Sequence, residues 1–258
     1  ESVGFPTNPK HAHSTFTLKI NGEPISITQE IQHRYVDPVK GEVHNPLVIL
    51  PELTVETSSS ILLSKNQEQK SIEVTFTRHD ESKNTFEVNV PALDSWKISD
   101  SKWTLNFSNE NSIVKTLTLK PLSESSNNAT LRFQHNGKTL THIKTLNYDH
   151  VPSITWFPST EISCQNLQLT NKVQHIGYLA GAGDLVAESL EQIGIKVTKL
   201  SDKDLTIPSL QQYDAVVVGV RYFNVVQNGT NTHTKLLDYV QNGGVVLVQY
   251  NVNSRLTT

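Results

Sequence analysis

The most constraining feature of this chain is a change of period in its last third. From Gln174 it reads QHIGYLAGAGDLVAESLEQIGIKVTKL, then YDAVVVGVRYFN, then THTKLLDYVQNGGVVLVQYN. Short, wholly apolar strands, expected at Ile176–Leu179, Ala215–Val220 and Val245–Val248, alternate with amphipathic helical stretches. A strand that is apolar on both faces needs cover on both sides, which is the signature of a parallel sheet flanked by helices. In such sheets ligands sit off the carboxyl ends of the strands. The candidate ligand-binding residues are therefore Gly181, Gly183 and Asp184 after the first strand, Arg221 and Asn224 after a later one, and Asn251 after the last.

The remainder of the chain has a different character. Residues 16 to 36 alternate with period two, and Asn21-Gly22 supplies the turn that a two-residue hairpin favours. Asp37-Pro38-Val39-Lys40-Gly41 breaks this pattern, and Pro46 and Pro51 bracket another extended stretch, LVIL. From Leu53 strands recur at short intervals: LTVET, SSILLS, KSIEVTFTRH, NTFEVNVP, KWTLNFS, SIVKTLTLKP and ATLRFQHNGKTLTHIKTLNYD. This spacing predicts an antiparallel β-sandwich of about seven strands, with residues 123–128 as a polar loop. The fold class expected is thus multidomain, β plus α/β: an antiparallel β-sandwich followed by a truncated, flavodoxin-like parallel α/β domain.

The boundaries follow from these shifts. Residues 1–45 read as the tail of a preceding β-rich region, 46–149 as the sandwich, 150–172 as a linker, and 173–258 as the truncated α/β domain. Pro152 and Pro158 argue against regular pairing in the linker, and Trp156 and Phe157 are expected to dock it. The first helix is expected over 184–193, with Asp184 as its cap and Gly194 as its stop. A later helix is expected over 234–241. The chain opens on Glu1, contains no Met, and yields four strands where five or more are usual. It therefore reads as a fragment of a longer protein.

A net charge of −3 offers no basic stripe for phosphate, which argues against nucleic acid or an anionic membrane as partner. No apolar run reaches the length of a membrane span. The single Cys164 excludes an internal disulfide. It lies in the linker rather than on a strand-to-helix elbow, so it reads as a small buried residue and not a nucleophile. No G-x-S-x-G elbow is present.

Each remaining motif has two readings. Gly181-Ala182-Gly183-Asp184 offers backbone N–H groups to an anion, or simply makes a tight strand-to-helix turn. Arg221 would clamp a carboxylate or phosphate, or would pair with Asp184 across the strand ends. His11 and His13 are the only closely spaced histidines and lack a third ligand nearby, so no metal site is assigned. Trp96, Trp103 and Trp156 would stack on sugars, or fill the core. Asn106, Asn128 and Asn228 begin glycosylation-type triplets, a pattern frequent by chance.

The runs HRYVDPVKGEVHNPLVILPELTV, NYDHVPSITWFP, HIGYLAGAGDLVAESLEQIGIKVTKL, YDAVVVGVRYFN and LLDYVQNGGVVLVQYN resemble the carboxyl-terminal part of large bacterial PIG-L (LmbE-like) deacetylases of the Bacteroidetes type. Such proteins join a zinc-dependent N-acetyl-sugar deacetylase domain to β-sandwich regions and a terminal domain similar to class I glutamine amidotransferases. The likeness runs from about His33 onward. It implies an amidotransferase-like fold for 173–258, and the absent amino-terminal domain as partner. It also implies an extracytoplasmic location.

Neither catalytic apparatus transfers. The deacetylase A-H-P-D-D-like motif is missing, since Ala12-His13-Ser14-Thr15 shares only two letters, and the strand VVLVQY runs into Asn251 with no elbow Cys. The expectation is a non-catalytic accessory region with no cofactor and no catalytic residues. Its rivals are a carbohydrate-binding module and a hydrolase or transferase site at the strand ends.

Overall fold

The computed structural model describes residues 12–124, 128–148, 153–226 and 229–253. His11, His150, Pro152, Asn228 and the 125–127 part of the polar loop lie outside the described residues.

The chain begins with two hairpins. Strands β1 (His13–Ile20) and β2 (Glu23–Glu30) pair antiparallel about Asn21-Gly22. Those two residues take φ of 54° and 88°, as a primed hairpin turn demands. The Thr15 hydroxyl lies 3.0 Å from that of Thr28, and the Thr17 hydroxyl 3.2 Å from that of Ser26. The opposite face carries Phe16, Leu18, Ile25 and Ile27, all exposed. Strands β3 (Gln32–Asp37) and β4 (Gly41–Pro46) form the second hairpin. The expected break at 37–41 is in fact its turn. The Asp37 carboxylate accepts the N–H groups of Val39 and Lys40, each at 2.8 Å, and so closes the loop.

A β-rich core follows. It is built from β5 (Leu53–Thr57), β6 (Ile61–Lys65), β7 (Lys70–Arg78), β8 (Thr85–Asn89), β9 (Trp96–Ile98), β10 (Lys102–Asn106) and β11 (Ser112–Pro121). After these come β12 (Asn128–Arg132), β13 (Gln134–His135), β14 (Lys138–Thr139), β15 (Lys144–Leu146), β16 (Ile154–Trp156) and β17 (Glu161–Leu167). Four sheets result, in the orders β5-β7-β11-β9, β10-β8-β13-β14, β12-β17-β6 and β15-β16. Period two puts Ile72, Val74 and Phe76 of β7 inward, with Leu117 and Leu119 of β11, Phe86 and Val88 of β8, and Leu131 of β12. These residues share one core, and each such side chain contributes roughly 1.5–3 kcal/mol. Phe76 meets Trp103 and Phe133 edge-on, and Trp103 stacks on Phe133. Trp96 and Trp103 are therefore core residues, whereas Trp156 is exposed.

Two expectations need correction. The 150–172 segment is not a bare connector: it carries β16 and β17, and β17 is the central strand of its sheet. Its sequence EISCQNL alternates inward Ile162, Cys164 and Asn166 with outward polar residues, a pattern masked by the flanking prolines. The sheets are also not purely antiparallel, because β17 pairs parallel with β6.

The last third is a parallel sheet. Its elements are β18 (His175–Leu179), α1 (Val186–Gln192), β19 (Lys196–Lys199), a 3₁₀ turn (Asp202–Asp204), α2 (Ile207–Leu210), β20 (Ala215–Val218), α3 (Tyr222–Val225), α4 (Gly229–Gln241) and β21 (Val246–Val248). The strands lie in the order β19-β18-β20-β21, all parallel. Both faces of the inner strands are covered. Val216 and Val218 pack with Leu210, Tyr222, Leu236 and Tyr239, and Val217 packs with Ala187 and Ile195. Helix α1 begins two residues after Asp184, while α4 begins at Gly229 instead of Thr234. Strand β21 is an edge, with Leu247 and Val248 exposed.

The parallel unit meets the β-rich core where α1 lies against β6. Gln192, the last residue of α1, accepts the Leu63 N–H at 2.5 Å and donates to the Ile61 carbonyl at 3.0 Å. Its amide thus occupies the free edge of β6 as a neighbouring strand would. Lys65 donates to Asn171 at 2.5 Å beside it.

Candidate functional site

The strand order leaves a switch point between β18 and β20, the place where ligands bind in open parallel sheets. Gly181, Gly183 and Asp184 follow β18, Arg221 and Asn224 follow β20, and Asn251 follows β21. The expected residues are thus brought to one end of the sheet.

The chain itself occupies that crevice. Ala182 N–H donates to the Val220 carbonyl at 2.8 Å, and Gly219 N–H to the Leu179 carbonyl at 2.8 Å. A Cβ on Gly181 would stand 2.1 Å from the Val220 oxygen, and one on Gly219 2.7 Å from the Gly181 nitrogen. Only two glycines allow the loops this approach. Gly183, with φ of +84° and open space around it, turns the chain back toward α1.

Asp184 completes the closure. Its Oδ1 accepts from the Tyr178 hydroxyl at 2.5 Å and from Val186 N–H at 3.0 Å; its Oδ2 accepts from Val220 N–H at 3.2 Å. Burial pushes this carboxyl up, but those three donors together outweigh it and hold the group below the usual carboxylate range. Tyr178 responds in the opposite sense: burial first, then the Asp184 carboxylate, raise its hydroxyl well above an ordinary phenol. A negative charge therefore stands where a bound anion would sit, and three internal donors hold it there. The helix it serves, α1, is only seven residues long.

The other candidates are similarly engaged. Asn224 donates to the Val252 carbonyl and accepts the Val252 N–H, both at 3.0 Å. Asn251 accepts Phe223 N–H at 3.1 Å and donates to the Gln249 carbonyl at 2.9 Å. These two amides lash the segment that follows β21 to α3. Arg221 takes the left-handed conformation, φ 56°, and its N–H donates to the Tyr250 carbonyl at 2.7 Å. Its side chain is exposed and does not pair with Asp184, which corrects the alternative raised by the sequence.

Elsewhere, Cys164 is fully buried, and burial raises its thiol to about 12, which leaves no thiolate for nucleophilic attack at neutral pH. Among the described residues no three His, Cys, Asp or Glu side chains converge to hold a metal ion. No helix among them is long and apolar enough to cross a membrane. Sequence reasoning missed the Tyr178 clasp and the Gln192 link. The one available signal was a tyrosine inside an otherwise apolar strand.

No protein-family model matches this chain, and no curated protein matches it.

Proposed function

We propose that this chain is a non-catalytic accessory region, a β-sandwich joined to a flavodoxin-like α/β unit, that supports or positions a separate catalytic domain. The observation that carries this reading is the strand-end crevice, where Gly181, Gly219 and Asp184 fill the expected ligand position. A unit of this architecture whose ligand edge is spent on internal bonds acts through its surfaces. The strand order β19-β18-β20-β21 supports the flavodoxin-like comparison, since it corresponds to the first four strands of that arrangement. The PIG-L-type resemblance, which rests on the sequence runs quoted above, supplies the kind of catalytic partner: a zinc-dependent deacetylase of N-acetyl sugars. An extracytoplasmic location comes from the same resemblance.

The test is to assay the purified chain for acetate release from N-acetylglucosamine with zinc present, and then to add a separately produced PIG-L-type deacetylase domain. The reading expects no release by the chain alone, and stabilisation or co-elution of the added domain. Turnover by the chain alone, abolished in Asp184→Asn, would instead favour the rival hydrolase site at the strand ends.

A further inference from the structure

Two β-ribbons face one another across a cleft of about 500 Å³, remote in sequence from the strand-end crevice. One wall is the β3–β4 hairpin. Its register sets Tyr35 opposite Val43 and His33 opposite Asn45, so these four share a face, and Tyr35, Val43 and Asn45 line the cleft. His33 stacks on Tyr35 with ring centroids 5.6 Å apart, which steadies the tyrosine ring. The other wall is the β15–β16 ribbon. Thr145 and Thr155 are opposite one another, and Thr155 lines the cleft together with Asn147, Tyr148 and Ser153.

The lining has a definite chemistry. Tyr35 and Tyr148 offer ring faces, while Asn45, Asn147 and Ser153 offer donors and acceptors. The side-chain amides of Asn45 and Asn147 make no hydrogen bond to another described residue. His44 turns its ring to the other face of the hairpin, with its ring nitrogens 3.1 Å from Gln32 Oε1 and 2.7 Å from Glu42 Oε1. Among the described lining residues Lys40 is the one Lys or Arg, and none is a carboxylate.

We infer that this cleft binds a neutral pyranose sugar. A pyranose has apolar C–H faces that pack on tyrosine rings, and edges of vicinal hydroxyls that amides and hydroxyls bond in pairs. The volume suits one or two sugar rings. A single lysine does not make the charged groove that nucleic acid needs. The site goes beyond the accessory role proposed above and does not depend on it.

The experiment is an isothermal titration of the chain with cellobiose, maltose, mannobiose and an oligoproline peptide. At least one disaccharide should saturate the chain with one site. Tyr148→Ala and Asn147→Ala should each weaken that binding by about tenfold or more, and Tyr148→Phe should keep it within a few fold. Trp156→Ala should leave it unchanged, because Trp156 points to the opposite face of its ribbon. Thermal midpoints matching the parent chain establish that the variants are folded. Binding of none of the sugars, binding lost only in Trp156→Ala, binding unchanged in all variants, or saturation by oligoproline alone would each overturn the inference.

Discussion

The Tyr178 hydroxyl donates to Asp184 Oδ1 at 2.5 Å, and the same carboxylate accepts Val220 N–H from the neighbouring strand's end. This clasp turns a potential ligand crevice into a structural joint. Asp184→Ala leaves a partly buried hydroxyl and two N–H groups without their acceptor, and should cost about 1–3 kcal/mol in urea unfolding. Tyr178→Phe removes one donor and should cost about 1 kcal/mol. The double variant should fall short of the sum, since the two residues share one bond.

The same clasp has a pH signature. The folded-state carboxyl of Asp184 lies below its unfolded value, so its stabilising contribution is complete above the unfolded value near 3.8. It is lost as pH falls through the lower folded value. Unfolding midpoints measured from neutral pH down to about pH 2 should decline on the acid side, and Asp184→Asn should flatten part of that decline.

The two glycines of the turn should differ in kind. Gly181→Ala drives a methyl to 2.1 Å from a backbone oxygen that cannot yield cheaply, and should cost about 3 kcal/mol or more. Gly183→Ala meets nothing within 4 Å and carries only the left-handed backbone penalty, about 1–2 kcal/mol. Chemical denaturation of the two variants separates steric closure of the crevice from mere turn geometry.

Cys164 should resist thiol reagents. Full burial and a thiol raised to about 12 predict that labelling by iodoacetamide tracks global unfolding and is negligible in the native chain at pH 8. Fast native labelling would show that β17 opens independently of the core.

The Gln192 side chain bonds the backbone of β6 at two points. Gln192→Ala should leave both units folded but loosen their junction. Backbone amide exchange at Leu63 should accelerate by about tenfold, while exchange in β20 stays unchanged.

The legible parts of the fold are those whose cause is local. Asn21-Gly22 specifies its hairpin by turn chemistry, and the apolar run AVVV in β20 requires cover on both faces. The parts that were not legible depend on partners far away in sequence. Strand β17 pairs with β6 about a hundred residues earlier, which no alternation pattern reveals, and the turn at Asp37 hides behind a proline that reads as a break. The strand-end residues follow β18, β20 and β21 at one end of the sheet, a placement that periodicity alone implies. Their state depends on the bond from Val220 to Asp184 and on glycine contacts between two loops, and spacing does not encode these. The Tyr35 and Tyr148 cleft is not legible because the sequence reads as a break at 37–41 and a linker from 150, and pairing across both is what forms its walls.

The closure of the strand-end crevice is tested most directly by thermal unfolding of the chain and of Arg221→Ala against phosphate and sulfate, with sodium chloride at matched ionic strength as reference. A ligand at a hundred times its dissociation constant adds about 2.7 kcal/mol of stability, which is a readily measured rise in midpoint. The account predicts the same shallow, non-saturating salt response in both proteins. A saturable rise with phosphate in the parent chain that disappears in Arg221→Ala would contradict it, and would return the strand ends to the role of a binding site.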